Sequence, residues 1–233
     1  MIAVATWNVL HRVHADNYAG DTVERWPREA DRIASVAAAI AQLPERVIAL
    51  QEVSGDQVES LREALPDRTV HVLRYPRVPT PRRLPDPLRD RSENLVIVSD
   101  GSSKVVAAEN FANDRGNGLL AVEFEDLLVV ATHVSGDERR ESQFVRLAEV
   151  VADRRAVLLG DFNVDRGTVA AALGGDFEVA EFPADSIPTR PRTSGTKSQF
   201  IDHVAGRGVT VRDLVVEDVA GVSDHNLVRA VVG

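Results

Sequence analysis

The chain has 233 residues, 44% hydrophobic and 27% charged, and its 27 Lys+Arg against 36 Asp+Glu give a formal charge of −9. This balance suits a folded globular chain and excludes disordered and fibrous classes, while the acidic surplus disfavours nonspecific wrapping of nucleic acid, which relies on many phosphate-neutralising cations. There is no cysteine, so disulfides, thiolate metal sites and covalent catalysis through sulfur are ruled out. Apolar runs stay far below the ~20 residues of a membrane-spanning helix, and the N-terminus passes directly into Ile2-Ala3-Val4-Ala5 with no basic leader. The expectation is a soluble, cytoplasmic, monomeric protein with no membrane partner. No linker or repeat divides the sequence, so 1–233 reads as one domain.

In chain order, a strand-length apolar run at 2–6 leads to a helical periodicity through Ala30, Ile33, Ala34, Ala37, Ile40 and Ala41, with charges on the opposite face. A second run at 47–50 precedes a helix starting near Gly55. Residues 74–91 then hold five of the eleven prolines and six arginines, which predicts a long extended loop. Runs at 95–98, 119–122 and 127–132 follow, with Arg115-Gly116-Asn117-Gly118 as a turn before the second of them. Phe144, Leu147, Ala148 and Val151 repeat at helical spacing, and further runs lie at 156–159, 200–204 and 227–232. Strands outnumber helices, and the mixture implies an α/β layered sandwich of mixed sheets with helices packed outside.

Ionisable and amide side chains concentrate at the ends of these runs. Asn8 closes the first, Gln51-Glu52 the second, His133 another, and Gly160-Asp161-Phe162-Asn163 follows 156–159; Asp202 lies in the late run and Ser223-Asp224-His225 precedes the last. Singly, each has an ordinary structural explanation as a turn former, a helix cap or a satisfied core histidine. Together they converge on one rim of a layered fold, and their types suit metal-assisted hydrolysis of a phosphate ester. Glu52 and the amide oxygen of Asn8 are hard donors suited to Mg²⁺, with Mn²⁺ as a substitute, whereas zinc would want clustered histidines that the chain lacks. Asp161 or a His–carboxylate pair would serve the attacking water, and Asn163 and His133 the charge on phosphorus.

Trp-Asn-Val (7–9), Gln-Glu-Val (51–53), Thr-His (132–133), Gly-Asp-Phe-Asn (160–163), Ile-Asp-His (201–203) and Ser-Asp-His (223–225) resemble, in order, the motifs of the endonuclease/exonuclease/phosphatase (DNase I-like) superfamily. That resemblance implies a four-layered α/β sandwich, two mixed sheets face to face, with the site at one edge. It implies Glu52 as principal Mg²⁺ ligand with Asn8 beside it, and Asp224 near a second or alternative metal position. Asp161 would orient or deprotonate the water, Asn163 and His133 would hold the scissile phosphate, and His225, oriented by Asp202, would contact it; the general base is either Asp161 or His225. Leu10 stands where abasic-site endonucleases carry an acid, which argues against that branch. His203 replaces an aromatic residue, and His203, His11, His14 and His71 read as structural.

The functional expectation is a Mg²⁺-dependent phosphodiesterase acting on nucleic acid or a nucleotide, with Arg82, Arg83, Arg115 and Arg190 as candidate substrate contacts. The competing readings are a phosphatase or phosphodiesterase for a small metabolite or phospholipid headgroup, and a catalytically silent binding module.

Overall fold

In the computed structural model, which describes residues 1–82, 87–191 and 199–233, twelve strands and six helices are found among the described residues. They run β1 (Ile2–Asn8), α1 (Arg12–Tyr18), α2 (Gly20–Arg25), α3 (Glu29–Gln42), β2 (Val47–Ser54), α4 (Gly55–Ala64), β3 (Arg68–Arg74), β4 (Glu93–Asp100), β5 (Ser103–Asn110), β6 (Gly118–Phe124), β7 (Leu127–His133), α5 (Arg140–Val151), β8 (Ala156–Asp161), α6 (Arg166–Leu173), β9 (Phe177–Val179), β10 (Asp202–Arg207), β11 (Val211–Glu217) and β12 (Leu227–Val232). Two six-stranded sheets result, ordered β11-β12-β1-β2-β4-β3 and β5-β6-β7-β8-β10-β9. β1 with β2 and β7 with β8 are parallel; the other pairs are antiparallel.

Alternation along the strands decides the layers. Val4, Val47, Ala49 and Ile97 from the first sheet meet Leu120, Val122, Val129, Val157 and Leu159 from the second in a dry core between the sheets. The opposite face of the first sheet packs Trp7, Ile48, Leu50 and Val96 under α3 and α4. The opposite face of the second packs Leu119, Leu128, Val130 and Leu158 under α5 and α6. Central strands buried on both faces explain the continuous apolar runs, and the order helix, sheet, sheet, helix is the four-layered sandwich the motifs implied.

Two expectations are adjusted. The buried face of α3 is Glu29, Arg32, Val36, Ala37 and Ile40, while Ala30, Ala34 and Ala41 are exposed, so a charged pair lies inside where the alanines were expected. Arg32 is 0% exposed and donates to Glu29 Oε1 and Oε2 (2.6 and 2.9 Å) and to the carbonyls of Val9, Leu10 and Val222 (2.7–3.0 Å). The extended loop expected over 74–91 begins one residue later, because Arg74 closes β3, and its described part contains neither helix nor strand.

Candidate active site

Strand register delivers the site. Asn8 pairs with Gln51 at the end of β1, His133 stands beside Asp161 where β7 and β8 end, and Asp161 in turn opposes Asp202 at the start of β10. The loop before β12 is drawn to the same rim: Ser223 Oγ donates to the Asn8 carbonyl (2.7 Å), and Trp7 Nε1 donates to the carbonyl of His225 (3.0 Å). Between Leu50 and Val53 the β2–β4 register shifts, so Glu52 sits in a bulge with φ +56°. Leu10 and Asn163, just past the ends of β1 and β8, also have positive φ (58° and 55°). Such conformations are uncommon without glycine and gather where surrounding structure holds a site in place.

Asp161 is the hub. Its Oδ1 accepts from the Asn163 backbone N–H (2.9 Å) and its Oδ2 from Asn8 Nδ2 (3.1 Å), while His133 Nε2 and His225 Nε2 lie 3.7 and 3.8 Å from Oδ2. Burial, with Asp202 opposite, raises its pKa above the usual carboxylate range. His225 turns Nδ1 to both oxygens of Asp202 (2.9 and 3.1 Å). Burial alone would lower the His225 pKa, but Asp202, Asp224 and Asp161 carry it up to about 10, so the imidazole is held protonated. Asn163 donates its Nδ2 to the Val134 carbonyl (3.0 Å), which fixes the side chain beside His133.

On the other side, Glu52 accepts from Asn8 Nδ2 (3.0 Å) through Oε1 and from the His11 N–H (3.2 Å) through Oε2. Burial opposes ionisation of Glu52, yet His14, His133, the Asn8 amide and His225 outweigh it and hold the carboxyl well below its ordinary value. The amide of Asn8 links the two carboxylates: its Oδ1 accepts from the Leu10 N–H (3.0 Å), and its Nδ2 donates to Glu52 and to Asp161. Asp224 binds Arg190 through Oδ2 (2.8 Å), while its Oδ1 is buried, 4.0 Å from His225 Nε2, and without a hydrogen-bond partner among the described residues. An ionised glutamate and an orphaned aspartate oxygen lining one cavity are a donor set that fits a hard divalent cation.

That cavity, about 290 Å³, is lined by Glu52, His133, Asn163, Arg190 and Asp224, and also by residues with no motif: His14, Tyr18, Arg77, Asp114, Asn117 and Arg139. His14, read as structural from the sequence, thus lies on the wall of the cavity. Its Nε2 lies 3.2 Å from Glu93 Oε1, and although burial opposes protonation, Glu52 and Glu93 raise its pKa to about 9. Arg77 pairs with Glu93 (3.4 Å) and Arg139 with Asp114 (2.7 Å). Of the expected arginines, Arg190 lines the cavity; Arg82 is exposed against Tyr18, which does line it. Arg115 is exposed in the turn before β6 and does not reach the cavity wall, and Arg83 lies outside the described residues. His203 is structural as expected, its Nε2 2.9 Å from the Val164 carbonyl and its ring packed near Phe162 and Phe182.

Comparison with known proteins places this geometry. No curated protein matches the chain. Among solved structures, a D. rerio TDP2 complexed with single-strand DNA product superposes with a TM-score of 0.72 at 15% identity, covering 100% of this chain and 98% of that one. An endonuclease/exonuclease/phosphatase from Bacteroides vulgatus gives 0.71 at 18% over 100% and 98%, and a functionally unknown conserved protein from Enterococcus faecalis V583 gives 0.69 at 19% over 100% and 99%. At these identities the likeness carries the fold. The sequence model of the Endonuclease/Exonuclease/phosphatase family matches residues 5–225, from the strand that ends in Asn8 to His225 itself. The chain thus belongs to the endonuclease/exonuclease/phosphatase family and is a metal-dependent phosphoesterase.

Proposed function

We propose that the chain is a Mg²⁺-dependent phosphodiesterase acting on nucleic acid or nucleotides by attack of water on phosphorus. One observation carries the reading: Asp161 Oδ2 lies within 3.1–3.8 Å of Asn8, His133 and His225, groups from three distant parts of the sequence, and His133 opens from this cluster onto a cavity that Glu52 and Asp224 line with it. That D. rerio TDP2 was crystallised with a single-strand DNA product supports nucleic acid as the substrate class.

Glu52 and Asp224 would hold the divalent cation, which when bound neutralises charge on phosphoryl and leaving oxygens. Asp161, buried and oriented by the Asn163 N–H and the Asn8 amide, is the base that takes the proton from water; its raised pKa brings it nearer the operating pH. His225, kept protonated by Asp202, is a poor base and instead offers Nε2–H to a phosphoryl oxygen. His133 and Asn163 approach the same oxygens from the second sheet.

Glu52→Gln and Asp161→Asn should each lower kcat by ~10²-fold or more on whichever phosphoester the wild type cleaves with Mg²⁺. A panel of single-stranded RNA, single-stranded DNA, nucleotides and inositol phosphates measures it. Turnover of the inositol phosphates alone would move the reading to a small-metabolite phosphatase, and no release from any of the panel would overturn it.

A further inference from the structure

Tyr18, at the end of α1, is 66% exposed, unusual for so large a ring, yet it is not loose. Arg82 lays its guanidinium carbon 4.7 Å from the ring centroid and donates from Nη2 to the Tyr18 hydroxyl (2.9 Å). The neighbouring Asn17 secures that arginine by accepting from the Arg82 backbone N–H (3.2 Å) and donating to the Thr80 carbonyl (3.3 Å). One face of the ring is thereby occupied by a cation and the other is left to solvent. The ring stands between two cavities: the active-site basin of about 290 Å³, and a second of about 240 Å³, with Tyr18, Ala19 and Asp224 lining both. Each by itself falls just below the ~300–1,000 Å³ usual for a ligand site, and the two share one wall at Tyr18.

The lining of the second cavity restricts its occupant. Among the described residues, Asp21 and Asp218 face it against Arg25, whose Nη1 is already given to the Ala220 carbonyl (2.9 Å), while Asp224 is paired with Arg190. A second phosphate or a carboxylate would meet like charge there, whereas a neutral planar ring with N–H donors at its edge would not. An aromatic face held rigid by a guanidinium is the kind of surface on which bases stack. We infer that Tyr18, braced by Arg82, is the stacking platform for the nucleobase adjoining the scissile phosphate, with the second cavity as that base's seat. This deepens the proposed function and rests on it for the position of the phosphate.

The test measures binding with Ca²⁺ replacing Mg²⁺, so that affinity is read apart from turnover. Fluorescence anisotropy compares a labelled single-stranded DNA ten-mer with the same strand built of abasic tetrahydrofuran residues, and calorimetry follows thymidine 5′-phosphate against ribose 5-phosphate. The base-bearing member of each pair should bind roughly 5- to 150-fold more tightly, Tyr18→Ala should remove that preference, and Tyr18→Trp should keep it. A preference in the strand pair alone assigns the seat to a base within a chain; one in both pairs assigns it to a nucleotide in general. Equal binding of base-bearing and abasic partners, or equal losses on both in Tyr18→Ala, would overturn the stacking role. Absence of hydrolysis with Mg²⁺ while the base preference persists would instead strike the proposed function and leave the platform standing.

Discussion

Asp161 and Asp202 face each other across an antiparallel pair, and the arrangement is sustained by the imidazolium of His225 on Asp202. Because the His225 pKa is raised to about 10 in the folded chain, from the usual ~6.5 when unfolded, its contribution to stability is fully present below about pH 6.5 and is lost as pH climbs toward 10. Asp202→Asn takes away the main attraction that offsets burial. In metal-free buffer, the His225 C2 proton should titrate well above an ordinary histidine in the wild type and fall to or below the ordinary value in Asp202→Asn. The difference in urea stability between the two proteins should narrow between pH 6.5 and 10. Retention of the high titration in the variant would show that Asp202 is not its source. At this scale the motif residues were legible because catalytic types stand alone at strand ends. His14, Arg77, Asp114 and Arg139 were not, since nothing in their local sequence distinguishes a residue lining a cavity from one on a solvated face. Arg32 was missed for a related reason: its guanidinium finds five acceptors only because Val9, Leu10 and Val222 leave their carbonyls free at the rim.

All eight strands expected from apolar runs are present, and the four that were not foreseen, β3, β5, β9 and β11, are the four edges of the two sheets. An edge strand with one solvated face carries mixed side chains, as in Ser103–Asn110, where five of eight positions are exposed, and it gives no continuous run to read. The motif elements, in contrast, are constrained by backbone approach. Gly160 of Gly-Asp-Phe-Asn passes against the Thr132 carbonyl, and any Cβ there would overlap that oxygen. The glycine lets β8 lie close enough to β7 for His133 and Asp161 to stand side by side. Gly160→Ala should therefore cost about 1–3 kcal/mol in urea unfolding and cut activity, since either β8 or β7 must shift. Gly175→Ala, with open space around its position, is the control that should leave both unchanged. Equal behaviour of the two variants would show that the close approach does not matter. The left-handed conformation of Glu52 belongs to this scale too: a bulge in β2 re-aims a side chain that regular alternation would direct elsewhere.

Across the whole molecule, the site divides between the sheets. Glu52, Asn8, Asp224 and His225 come from the first, with its loop before β12; His133, Asp161, Asn163 and Asp202 come from the second. A cation held, as proposed, by Glu52 and Asp224 would bind only the folded form, and should stabilise it by RT ln(1 + [L]/Kd), about 2.7 kcal/mol at a hundredfold excess over Kd. The thermal midpoint should accordingly rise with added Mg²⁺ and stay fixed in Glu52→Gln. An equal rise in that variant would place the cation elsewhere. The second sheet is moreover one uninterrupted stretch of chain, β5 to β10, inserted between β4 and β11 of the first. Both crossings, 100–103 and 207–211, lie at the end of the sandwich away from the rim, where Arg46 clasps Asp100 and Glu125. The molecule is thus a pair of tongs, riveted at the handle, with acids on both jaws: Glu52 and Asp224 on one, Asp161 and Asp202 on the other. No peptide bond ties the jaws at their tips, where the Asn8–Asp161 and Arg190–Asp224 contacts span the gap, so there the two halves are clasped by hydrogen bonds and not by the chain.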